Sequence, residues 1–222
     1  NLIGKNMKKV LLYIVATFFV FAQANAQNFS IGVSGNVSVF AGTGIEIEYS
    51  ESGTVSNRTK EYGAFADEYP SIFVEWGNDV VSIGLDYVPV AIESPQNINT
   101  SSSTTPTSKV QVDFENHMTF YGLVRAPWLG LYLKGGVTDA DVIINESQRS
   151  GNTYKDQSTG GYMAAIGSEI DAGGVAWRIE IAGYSYDDVN ANNGVATSGN
   201  RNEVSVESAI GATGRLSLVK TF

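Results

Sequence analysis

Few side chains in this sequence are suited to chemistry, and they fall into three sets. His117 is the only histidine among 222 residues. In an alternating stretch it shares a face with Asp113, Glu115, Thr119, Tyr121 and Arg125. A histidine beside a hydroxyl and a carboxylate is the raw material of acyl transfer or hydrolysis. A hydrogen-bonded interior histidine is the simpler expectation, since no nucleophile elbow or phosphate-binding glycine motif accompanies it. The second set is acidic: Asp139 with Asp141, and Asp187 with Asp188. Such carboxylates can hold Ca²⁺ or Mg²⁺, or form the acid cluster of a protease. The sole histidine lies on another segment, so solvated loop acids are expected. With no cysteine, disulfides and thiolate metal sites are excluded. The expectation is a protein with no catalytic residue, no metal and no cofactor.

The third set holds eight ionised residues that fall on the polar faces of two-faced segments: Glu75, Asp86, Arg125, Lys134, Glu169, Arg178, Glu180 and Arg215. They number four acids against four bases. Buried charge is tolerated only when it is paired, because an uncompensated ion costs several kcal/mol. A matched set on one side of a sheet therefore predicts an interior ion-pair network.

The elements carrying these residues are long and alternate with period two. The last, Glu203 to Phe222, places Val204, Val206, Ile210, Ala212, Leu216 and Leu218 on its even face, opposite Arg215 and Ser217. A soluble strand is usually about 5–6 residues. Further strands are expected over 27–41, with continuation through Ile45, Ile47 and Tyr49 after a break at Gly42–Gly44, and over 69–76, 80–92, 109–125, 129–144, 159–170 and 175–187. Polar connections at 50–67, 94–108, 145–156 and 188–202 are read as long loops, and they alternate with tight turns at 77–79, 126–128 and 171–174. Asn116 interrupts the apolar face formed by Phe114, Met118, Phe120 and Val124.

The beginning of the sequence reads as a secretory signal. Met7-Lys8-Lys9 precedes an apolar run to Ala22 and an Ala24-Asn25-Ala26 cleavage site, with residues 1–6 upstream of the natural start. Residues 1–26 are thus expected to be removed, leaving 27–222 as one domain. That leaves 11 basic residues against 23 acidic ones, a net charge of −12. Nucleic acid is excluded as a partner, since phosphate contacts need basic clusters. No later run is long and apolar enough for a spanning helix, so entry into a membrane requires a closed barrel. Long and short connections in strict alternation, with an even strand count, predict an all-β, eight-stranded antiparallel up-and-down transmembrane β-barrel. A soluble sandwich or lipocalin-like barrel would also alternate. Long strands, turn-proximal Trp76, Trp128 and Trp177, and mid-strand charges on the minor face favour the membrane form.

With the signal sequence, the loop alternation, the Ala165-Ile166-Gly167-Ser168-Glu169 segment before a tight turn and the terminal Phe222, residues 28–222 resemble the small outer-membrane β-barrels of the OmpA/OmpX/opacity-protein type. The resemblance implies a bacterial outer-membrane location and contact with membrane lipid and lipopolysaccharide. It also implies insertion by the outer-membrane assembly machinery, with Phe222 part of the signal that machinery reads. Lys220 departs from the usual apolar position near the end and is expected to snorkel to water. No peptidoglycan-binding segment follows, so wall anchoring is not implied. Some barrels of this kind modify lipid A, but they use a lipid-facing His and Ser, and no His-x-Ser motif is present. The expectation is a monomeric, non-enzymatic structural or surface-interaction protein with a charge-plugged lumen. A narrow, porin-like passive channel for small solutes is the alternative.

Overall fold

The computed structural model describes residues 28–50, 52–99, 108–147, 154–193 and 202–222. The expected signal segment lies outside these residues, as do parts of three of the expected loops. Among the described residues eleven strands occur in chain order: β1 Asn28–Tyr49, β2 Val55–Gly77, β3 Val81–Tyr87, β4 Ile92–Glu93, β5 Asn97–Asn99, β6 Ser108–Ala126, β7 Leu131–Ser147, β8 Gln157–Asp171, β9 Val175–Tyr186, β10 Val189–Asn192 and β11 Asn202–Thr221. Each long strand pairs antiparallel with its neighbour, and β1 closes on β11 from Ser30↔Thr221 to Glu48↔Asn202. The short β4, β5 and β10 extend this ring at one end, so eight strands enclose the lumen.

Closure decides which face meets what. The outward positions of β1 are Phe29, Ile31, Val33, Val37 and Val39, all exposed. They cover about 33 Å of strand, or about 25 Å along the barrel axis at a tilt of about 40°. Leu133, Ile166, Ile179, Ile181, Leu216 and Leu218 continue this belt around the barrel. A belt of that height, wrapped around a charged interior, requires hydrocarbon outside it. Exposed Trp128 and Trp177 stand at its turn end, and Tyr62 and Tyr162 at its loop end. Outward-facing Lys220 directs its amine to the Asp171–Val175 turn, 3.3 Å from where a Cβ on Gly174 would lie.

The turns are locked locally. Asn78 Oδ1 accepts from the amides of Val80 and Val81 at 2.9 and 2.8 Å. In the third turn, Asp171 Oδ1 accepts from Gly174 N, where Gly173 and Gly174 adopt φ of 79° and 89°.

The strands run further than their composition indicates. Residues 55–67, expected as loop, form the outer half of β2 and pair with β1. β1 crosses Gly42–Gly44 without a break. Beyond the belt no lipid covers the outer face of the wall, so polar residues no longer mark a strand's end. The expected third strand is also shorter than 80–92: β3 ends at Tyr87, and Ile92–Glu93 pairs separately with β6.

Two β-bulges correct the expected faces. The β6–β7 register shifts between Glu115 and Met118, where Asn116 takes φ 51°. The β1–β11 register shifts between Ala41 and Thr43, opposite Ser208 at φ 54°. Each extra residue reverses the in–out alternation beyond it. Asp113 and Glu115 therefore leave the face of His117 and Tyr121 for the outer face, where Asp113 is covered by Gln111 and Asn145, which donate to its carboxylate, and Phe114 turns inward opposite buried Val142. On β11, Val204 and Val206 leave the lipid-side face of Leu216 and line the interior. A one-residue insertion has no signature in a two-residue period except the break itself, which the sequence displays at Asn116.

Candidate functional site

The lumen of the belt is filled by ions. Glu75 on β2 lies at the centre, and Arg178 of β9 grips it from across the barrel. Nη1 donates to Oε1 at 2.7 Å and Nη2 to Oε2 at 2.8 Å. This is a planar, two-bonded match of guanidinium to carboxylate. Arg125 Nη2 adds a bond to Glu75 Oε2 at 2.9 Å, and Tyr121 Oη donates to Oε1 at 2.9 Å. Arg178 Nε also donates to Glu169, the most exposed member, whose Oε2 lies 3.7 Å from Arg125 Nε.

A second group sits beside the first. Arg215 on β11 donates from Nη1 to Asp86 Oδ2 at 2.7 Å and from Nε to Asn36 Oδ1 at 2.7 Å. The same Nη1 is 3.7 Å from Glu180 Oε1. Glu180 also accepts from Tyr132 Oη at 3.0 Å and from Lys134 Nζ at 3.3 Å. Lys134 Nζ lies 4.0 Å from the centre of the Tyr121 ring, a cation–π contact that links the groups. All eight residues of the charged set thus face the lumen and join into two abutting clusters.

Backbone economy makes room for the tyrosines. Tyr121 and Tyr132 lie flat over glycines: a Cβ on Gly84 would sit 2.4 Å from Tyr121 Cζ, and one on Gly167 2.2 Å from Tyr132 Cζ. Only glycine permits this approach. Sequence reasoning named the ions but missed these tyrosines as ligands, although each shares its strand's inward parity with a charged residue. It also missed Asn36 and the hydroxyl ladder of Ser38, Tyr69 and Thr213, in which Ser38 Oγ lies 2.8 Å from Tyr69 Oη and 2.7 Å from Thr213 Oγ1.

His117 is buried above the ions. Its Nε2 lies 2.9 Å from Thr138 Oγ1 and 3.2 Å from Tyr186 Oη, and its ring packs edge-on to Tyr184 and Tyr186. The bulge has carried Glu115 to the opposite face, so no carboxylate–histidine–hydroxyl grouping is assembled, and His117 is the hydrogen-bonded interior histidine that was expected. Asp139 and Asp141 stand on the outer surface beyond the belt, where Asn116 Nδ2 donates to Asp141 at 2.8 Å. Partial burial, and then the charge of Asp141, raise the Asp139 carboxyl above its ordinary range. Asp188 accepts from the bulged Ser208 amide at 3.1 Å. Among the described residues, no three acidic or histidine side chains are grouped as metal ligands.

Above His117 the lumen changes character. A cavity of about 450 Å³ lies between Phe40, Phe65, Ile92, Phe114, His117 and Tyr186. A second cavity of about 430 Å³ lies at the turn end and is polar, reaching Glu75, Arg125 and Glu169.

This closed ring with an apolar outside and an ionic inside superposes on outer membrane protein OprG from Pseudomonas aeruginosa with a TM-score of 0.55. The identity is 8%, and the match covers 87% of this chain and 95% of OprG. The fold is that of the outer-membrane β-barrels. Weaker matches are outer membrane protease OmpT from Escherichia coli (TM-score 0.45, 11% identity, 90% of this chain and 100% of that one) and Ail, the attachment invasion locus protein of Yersinia pestis (0.39, 9%, 85% and 99%). No protein-family model and no curated protein sequence matches the chain.

Proposed function

We propose that this protein is a non-enzymatic integral barrel of the bacterial outer membrane. Its lumen is closed at the belt, and it contributes to envelope integrity and to contacts at the outer surface. The observation that carries this reading is the double bond of Arg178 to Glu75 across the lumen, reinforced by Arg125 and Tyr121. Buried pairs that satisfy one another this fully gain nothing from parting, so a solute would have to break several charge-assisted bonds at once. Membrane lipid and lipopolysaccharide surround the belt. The barrel acts as a monomer and is inserted by the assembly machinery. Phe222, paired through its backbone with Phe29 and 70% exposed at the turn end, serves as the assembly signal.

Planar-bilayer recording of the purified protein tests the closed lumen. Rare, small or no conductance steps are expected, and stable large channels would refute it. The second reading, a narrow passive channel, draws support from the polar turn-end cavity that reaches Glu75 and Arg125. Liposome swelling with small sugars and amino acids separates the two.

A further inference from the structure

We infer that the loop-end chamber above His117 is a binding site for a small apolar molecule with a ring-shaped body. Its wall is largely apolar, with Glu61, Ser94, His117 and Tyr186 as polar members. Phe40 and Phe65 stand opposite one another on β1 and β2 with ring centroids 5.2 Å apart, and Phe40 lies 6.5 Å from Tyr186. Phe40, Phe65 and Phe114 rest against buried Tyr69, Val88 and Ile92. Directly beyond the phenylalanine pair, Gly42 faces Gly63, where an added Cβ would meet nothing within 4 Å on the Gly63 side. The volume of this partly open cavity, about 450 Å³, falls within the roughly 300–1,000 Å³ usual for small-molecule sites.

The two bulges give this chamber its significance. Uninterrupted alternation would point Asp113 and Glu115 of β6, and Glu203 and Glu207 of β11, into this half of the lumen. The bulges turn Val112, Phe114, Val204 and Val206 inward in their place. Both require a non-glycine residue with positive φ, Asn116 and Ser208. An interior meant for water, or for more ion pairs, would need neither departure. Along the phenylalanine, valine and glycine part of this lining water is poorly held, because it finds there few of the two to four polar partners it needs. A rigid ring system replaces it without loss, stacking on Phe40 and Phe65 and meeting the Tyr186 and His117 edges at the floor.

The test uses 1-aminoanthracene as the probe and the intact barrel in phosphatidylcholine nanodiscs. Empty nanodiscs provide the partition background. Wild type is expected to show saturable enhancement of probe fluorescence at one site per barrel. Gly63→Phe fills the chamber from a position where a new Cβ meets nothing within 4 Å. Gly44→Phe does the same from β1, where the nearest atom is the Glu61 carbonyl oxygen at 4.0 Å. Folding of each variant is read from its heat-dependent gel shift. At least tenfold weaker binding in either folded variant supports the site. A signal no greater than that of empty nanodiscs, or one unchanged by both substitutions, overturns it.

Discussion

The turn-end and loop-end halves of the lumen are enclosed by the same strands, yet their chemistry is opposite. The first is packed with guanidinium, ammonium and carboxylate groups, each satisfied by others from across the barrel. The second surrounds a cavity lined mainly by phenylalanine, valine, alanine and glycine, with Glu61, Ser94, His117 and Tyr186 among them. Lipid encircles the first, so its outer face must be apolar and its polar residues have only the inside to occupy. Around the second, where the belt ends, polar residues are free to face outward, and two bulges reverse the alternation so that they do. The difference teaches that burial in a small barrel is decided strand by strand and height by height.

The largest effect should come from breaking the ionic half at its centre. Glu75→Ala leaves Arg125 and Arg178 with buried, uncompensated charge, and a loss of about 3–5 kcal/mol is expected. Urea unfolding of the refolded barrel in lipid vesicles measures it. A loss below ~1 kcal/mol would mean that water already reaches the network and that the two halves differ less than their packing indicates. Lys134→Met should cost less, about 1–3 kcal/mol, because Glu180 keeps Tyr132 and Arg215 as partners.

Overpacking the same half is the next step down. Gly167→Ala places a methyl within the Tyr132 ring and should cost about 1–3 kcal/mol. The matching change at Gly63 in the chamber meets open space, so Gly63→Ala should be nearly neutral. Equal losses at the two glycines would erase the contrast between the close-packed Tyr132 site and the open Gly63 site.

The boundary itself is tested at Asn116. Asn116→Val should lose about 1–2 kcal/mol, because a β-branched residue resists positive φ, whereas Asn116→Gly should retain the bulge. The smallest effect lies on the outer surface. Burial and Asp141 raise the folded-state pKa of Asp139, so its contribution is most favourable when protonated and is lost as pH rises through that raised value. Asp139→Asn should therefore stabilise at neutral pH by no more than ~0.5 kcal/mol, given its exposure, with the gain vanishing in acid. Equilibrium unfolding at pH 7 and pH 3 checks the sign.

Much of this was legible in the residues. Period-two alternation, tight turns at Asn78 and Gly173–Gly174 and the balance of four acids with four bases indicate an eight-stranded barrel with ions inside, because lipid outside leaves charge nowhere else to go. Strand ends beyond the belt were not legible. At residues 55–67 a polar sequence is compatible with loop or with a strand whose outer face meets water rather than lipid, and pairing with β1 decides between them.

The sequence by itself thus determined the ring, the belt and the identity of the interior ions, since each follows from a local pattern and from the cost of placing charge in hydrocarbon. Only the tertiary structure decided which acid meets which base, that Tyr121 and Tyr132 lie over glycines to reach Glu75 and Glu180, and that Asn116 and Ser208 turn the upper lumen apolar. Those outcomes depend on register between strands far apart in the chain. A shift of one residue exchanges inside for outside, and it is fixed by the closure of the whole barrel.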